Sequence, residues 1–173
     1  LGTVEDEVRA RLTAHRVLSY RLLWFEEEPP SEYPELSMAA VTTHDLPTVA
    51  GLWSGRDLAA QRRLGLNPNE EATQNIRRRV ADLVGLDGCA PTERVIEQIY
   101  CRLSEATSCV AVASLDDALG IMERPNMPCT TNEWPNWSLA MPRGLAALET
   151  SPLAERIAAA MNERKGRRVR SES

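Results

Sequence analysis

The sequence predicts an α/β fold in which a mostly parallel sheet is covered by helices. Three segments of strand length carry that expectation: "VLSYRLLWFE" (17–26), "LSMAAVTTHD" (36–45) and Cys109–Ala113. Each is a continuously apolar or uncharged run with no alternation, the pattern of strands buried on both faces. Around them lie segments with apolar residues at helical spacing, giving the order helix, strand, strand, helices, strand, helices.

Each element has its own justification. Residues 3–16 place Val4, Val8 and Leu12 on one helical face, with Thr3 and Asp6 at capping-box spacing, so a surface helix packed on a neighbour is expected. The first strand runs into Glu26, Glu27, Glu28, Pro29 and Pro30, a loop, and the second stops on His44 and Asp45. A helical block follows: 56–64 up to Gly65, then 69–84 with Ala72, Ile76, Val80 and Leu83 on one face and Gly85 as its stop. Its last member is 91–106, with Pro91 at the first helical position and Val95, Ile99 and Leu103 aligned. The third strand leads into a polar turn bearing Asp116 and Asp117. A long irregular stretch, 122–142, precedes closing helices near 143–149 and 152–164.

Bulk properties narrow the function. With 20 basic and 25 acidic residues the net charge is −5, which repels nucleic acid and anionic membrane surfaces, so neither is expected as a partner. The basic cluster Arg164, Lys165, Arg167, Arg168 and Arg170 reads as a solvated tail. Cys89, Cys101, Cys109 and Cys129 show no ligand or disulfide spacing, so reduced thiols and a cytoplasmic location are expected. No apolar run approaches the roughly 18 residues of a membrane span, and no signal peptide precedes the first helix, although the chain opens on Leu1 and not on Met.

In parallel α/β proteins the working residues sit at the carboxyl ends of strands, where this chain has Glu26, His44 with Asp45, and Asp116 with Asp117. No glycine-rich phosphate loop follows any strand, no metal-ligand cluster is present, and no G-x-S-x-G elbow supplies a nucleophilic serine. Carbohydrate recognition suits the remaining groups, because sugars ask for carboxylate, imidazole and amide hydrogen bonds together with aromatic faces. Asn126, Asn132, Glu133, Trp134, Asn136 and Trp137 supply that material in the loop after the third strand. Each feature also has a plainer reading: His44-Asp45 as a turn or cap, and Trp134-Pro135 as a plug over a core edge.

The segments "LGTV", "SYRLLWFE", "VTTHDLPTVAGLW" and "SLDDALGIMERPNMPCTTNEWPNWSLAMP" together resemble the C-terminal part of a bacterial 4-α-glucanotransferase. This is the family of amylomaltases and disproportionating enzymes, and the resemblance extends to about Leu148. It implies a retaining transglycosylase on a (β/α)8 barrel that needs no cofactor and acts on maltooligosaccharides and other α-glucans. By motif position Asp45 is the carboxylate that stabilises the transition state. His44, Asn126, Pro128 and Trp134 are the implied substrate-binding residues.

The resemblance also implies that the acid/base Glu lies just upstream of Leu1 and the nucleophilic Asp one strand earlier. The chain is then the last three βα units of a barrel that typically needs about 250 residues. Residues 1–150 form that portion, with a helical excursion at about 55–107; 151–164 close it, and 165–173 are the tail. Two departures from the family pattern stand out: Cys129 replaces a usual Gly, where a Cβ strains the turn if that turn needs φ > 0, and Asn132 replaces a common Asp. Two other functions compete, a non-catalytic glucan-binding module and a helical interaction domain built on residues 56–106.

Overall fold

The computed structural model describes residues 5–163. Three short strands, β1 (Ser19–Leu22), β2 (Ser37–Ala40) and β3 (Val110–Val112), form a parallel sheet in the order β1-β2-β3. Tyr20 is in register with Met38, which is in register with Val110; Leu22, Ala40 and Val112 line up in the same way. Among the described residues eight helices accompany the sheet: α1 (Asp6–Ala14), α2 (Val49–Ser54), α3 (Arg56–Arg63), α4 (Glu70–Val84), α5 (Thr92–Leu103), α6 (Leu115–Ala118), α7 (Leu145–Glu149) and α8 (Pro152–Asn162). The β1 to β2 crossover contains only a 3-10 turn, Pro30–Glu32.

Strand alternation separates the two faces of the sheet. Ala39 and Ala111 point into the helical core, whereas Tyr20, Val110 and Val112 on the other face are 48%, 38% and 42% exposed. The sequence reading of strands buried on both faces holds for β2, whose Ala39 and Ala40 are 0% and 4% exposed on opposite faces, and is corrected for β1 and β3. Among the described residues β1 and β3 each have one strand neighbour. The first helix is corrected in the same sense, since Val8 and Leu12 are exposed and Glu5 stands at its N-cap with no side-chain cap bond. Thr3 and Val4, like the tail beyond Glu163, lie outside the described residues.

α5 is the central helix. Val95, Ile96, Ile99, Tyr100 and Leu103 are all fully buried, at the i, i+1, i+4, i+5, i+8 spacing of a wide apolar face. Each aliphatic member contributes about 2 kcal/mol of burial relative to exposure. α4 packs on α5 through Val80 and Val84 and stops at Gly85, whose φ of +65° makes it a left-handed C-cap, as its place in the sequence suggests.

Two helices were not expected from the sequence. α2 starts at Thr48, whose hydroxyl accepts the Gly51 N–H, and its apolar content hides helical periodicity because nearly every residue is buried. α6 replaces the predicted polar turn: Ser114 caps it, and Asp117 turns inward and is wholly buried. Asp117 accepts the Val49 N–H at 2.9 Å and the Tyr100 O–H at 2.7 Å, tying α6 to α2 and α5. Gly51 is required at this junction, because a Cβ there would lie 2.4 Å from the Met122 carbonyl oxygen.

Candidate functional site

β2 ends at Ala40, so His44 and Asp45 sit in the loop beyond the strand and not on its last residues. Short-range bonds shape this loop. The Asp45 N–H is donated to the Thr43 hydroxyl, Leu46 N–H bonds back to the Thr43 carbonyl, and the Thr42 hydroxyl donates to the Pro47 carbonyl. The Trp24 indole N–H reaches the same Pro47 carbonyl, fixing the loop to the core.

The loop after α6 meets it. Asn126 Nδ2 donates to Asp45 Oδ1 at 2.6 Å, and His44 Nε2 lies 3.3 Å from Asp45 Oδ2. Arg124 Nη1 donates to the Asp45 backbone carbonyl at 2.9 Å. Arg124 is itself held by a bidentate ion pair with Asp57 of α3, whose side chain is 4% exposed, and Gln61 donates to the same carboxylate. Asp45 is thus fixed at its backbone by a buried guanidinium and at its carboxylate by an amide and an imidazole. Its side chain remains one-third open to solvent.

Asn136 braces the 124–137 loop by accepting the Met127 N–H and donating to the Thr130 hydroxyl. Trp134 is half-buried and gives its indole N–H to the Arg124 carbonyl, whereas Trp137 is exposed with its ring 4.7 Å from that of His44. Pro128 and Cys129 form the exposed tip, and Cys129 adopts a φ of +68°, the conformation for which a glycine is suited. Asn132 is exposed beside Glu133, whose carboxylate accepts the N–H groups of Thr131 and Asn132 and is held below its ordinary pKa by them.

Of the polar residues expected at strand ends, His44 and Asp45 stay together, and Asn126 from the loop after the third strand joins them. Asp117 goes to the core, where burial pushes its carboxyl up to about 6 against the opposing effect of its two hydrogen bonds. Glu26 pairs with Arg21 at 2.9 Å and lines a separate cleft of about 190 Å³ between the β1 to β2 crossover and α4. Sequence reasoning missed Arg124 and Asp57. Asp57 reads as an ordinary acidic residue in a helix first turn, and its partner lies 67 positions away.

Among the described residues no group of three or more His, Cys, Asp or Glu could hold a metal ion, and the four cysteines are free thiols. The arrangement can orient a single carboxylate and present amide, imidazole and indole groups around it. A family model described as 4-alpha-glucanotransferase, glycoside hydrolase family 77, matches residues 1–146. The chain belongs to the 4-alpha-glucanotransferase family.

A 4-alpha-glucanotransferase of Mycobacterium tuberculosis is 34% identical over 186 residues, covering 94% of this chain and 26% of the relative. The Haemophilus influenzae 4-alpha-glucanotransferase is 31% identical over 169 residues, covering 84% of this chain and 24% of its own length. Amylomaltase from Corynebacterium glutamicum superposes with a TM-score of 0.80 at 27% identity, over 93% of this chain and 28% of that one. The fold alone is shared with an amylomaltase from Streptococcus agalactiae solved in complex with acarbose, at a TM-score of 0.56 and 19% identity. The chain spans about a quarter of the length of the 4-alpha-glucanotransferases it matches.

Proposed function

We propose that this chain is the closing part of a (β/α)8-barrel 4-α-glucanotransferase, and that Asp45 supports its transition state during transfer of α-1,4-glucan segments between maltodextrins. The observation that carries the reading is the fixing of Asp45: Asn126 on one oxygen, His44 beside the other, and buried Arg124 on its backbone. A carboxylate held this way lowers the energy of an oxocarbenium-like centre without reorganising during reaction. The polar groups around it match the hydroxyls of a glucosyl ring.

In this reading β1, β2 and β3 are the last barrel strands, α3 to α5 lie within an enlarged connection, and the open face bearing Tyr20, Val110 and Val112 looks into the barrel interior. Retaining transfer also needs a nucleophilic carboxylate and an acid/base carboxylate, and the groups on Asp45 are the Asn126 amide and the Arg124 guanidinium as hydrogen-bond donors with the His44 imidazole beside it, none of them a carboxylate. Both missing groups belong to upstream strands in this proposal, so the 173-residue chain alone is inactive. A cytoplasmic setting is part of the same proposal.

The test is disproportionation of maltotriose, followed by glucose release. The isolated chain should release none, while a polypeptide joining it to five upstream βα units should be active and lose at least a thousandfold in kcat on Asp45→Asn. Full activity of that Asn variant, or turnover by the isolated chain, would refute the assignment.

A further inference from the structure

Trp137 is 65% exposed, whereas Trp24 and Trp53 are 1% and 3% exposed in the core. Its backbone lies at φ +60°, a conformation that a bulky side chain rarely adopts and that persists only where the surroundings enforce it. The surroundings do so here: the Trp137 N–H is donated to the Pro125 carbonyl at 3.0 Å, and the Asn136 side chain ties Met127 to Thr130 on either side of the turn. Packing does not account for the strain, because the indole is largely open to solvent. What the strained backbone achieves is the position of the ring, 4.7 Å from His44 and tilted by 52° to it, while His44 in turn lies beside Asp45.

We infer that Trp137 is the stacking platform of this site: its indole receives the C–H face of one pyranose ring while the ring's hydroxyls reach His44, Asp45 and Asn126. The inference rests on the glucan reading above and adds to it the residue that makes the site prefer a cyclic sugar to an open-chain polyol. An aromatic face beside convergent polar groups is the composition of a site for a ligand with one apolar and one polar aspect. Trp134, which the resemblance implies as a substrate-binding residue, donates its indole N–H to the Arg124 carbonyl.

The test is calorimetric titration of the 173-residue chain with maltotriose, maltoheptaose and sorbitol, comparing the parent with Trp137→Ala and Trp137→Phe, with thermal midpoints recorded alongside. The platform predicts that the parent binds the maltooligosaccharides and not sorbitol. Trp137→Ala should weaken binding at least tenfold and Trp137→Phe less than threefold, with both midpoints within a degree or two of the parent. Unchanged affinity in Trp137→Ala overturns the platform and leaves the glucan reading standing. Loss of binding in both variants together with a fall in their midpoints makes Trp137 a loop brace and also overturns the platform. A parent chain that binds no maltooligosaccharide overturns the platform as a feature of this chain, while the glucan reading is decided separately by the maltotriose assay of the joined polypeptide.

Discussion

Cys129 adopts a φ of +68° on an exposed turn, where its Cβ meets the steric cost of the left-handed region and its side chain has little packing to offset it. Cys129→Gly should therefore stabilise the chain by about 1 kcal/mol, read as a higher urea midpoint with an unchanged m-value. The resemblance to the family flagged this position, because glycine is usual there after the proline. Arg124 and Asp57 behave differently. They form a bidentate pair with side-chain exposures of 7% and 4%, and removing one partner strands the other charge away from water. Asp57→Ala should cost about 3 to 5 kcal/mol in urea unfolding. The double variant Asp57→Leu with Arg124→Met should recover most of that loss while releasing the Asp45 carbonyl from its guanidinium. No sequence signal marked the pair, since ion pairing between distant positions leaves no periodicity.

At the scale of elements, the buried Asp117 joins α2, α5 and α6 through the Val49 N–H and the Tyr100 O–H. Burial, the largest effect, raises its carboxyl to about 6, and nearby Asp116 adds to the rise. A carboxyl with a raised pKa in the fold binds its proton more tightly there than in the unfolded chain. This group's contribution to stability is therefore largest below about pH 4 and falls as pH rises to about 6, a loss of roughly 3 kcal/mol. Asp117→Asn keeps an acceptor for the Val49 N–H and has no charge to bury. The difference in urea stability between variant and parent should shift in favour of the variant by about that amount between pH 4 and pH 7.

Helices of strong periodicity, α4 and α5, were legible to within a few residues, as were the positions of the three strands. α2 and α6 were not, because a short helix buried on most sides looks apolar throughout and a capped turn of helix looks like a polar loop. The strands, in turn, read as doubly buried because their composition suits a sheet covered on both faces, whereas Tyr20, Val110 and Val112 are open here.

At the scale of the whole molecule, the loop after β2 meets the distant loop after α6. His44, Asp45 and Asn126 were foreseen as partners in one site from motif resemblance, and the structure brings them within hydrogen-bonding reach. The identity of the exposed indole was not foreseen, because two tryptophans three positions apart in an irregular loop cannot be assigned a direction from spacing. The most direct measurement of the central claim is a maltotriose titration of the isotope-labelled 173-residue chain, followed by backbone amide shifts. Perturbations should concentrate on His44, Asp45, Asn126 and Trp137, with Glu26 to Glu28 and α4 unmoved. An unchanged spectrum at saturating sugar, or perturbations confined to the cleft beside α4, would contradict that claim.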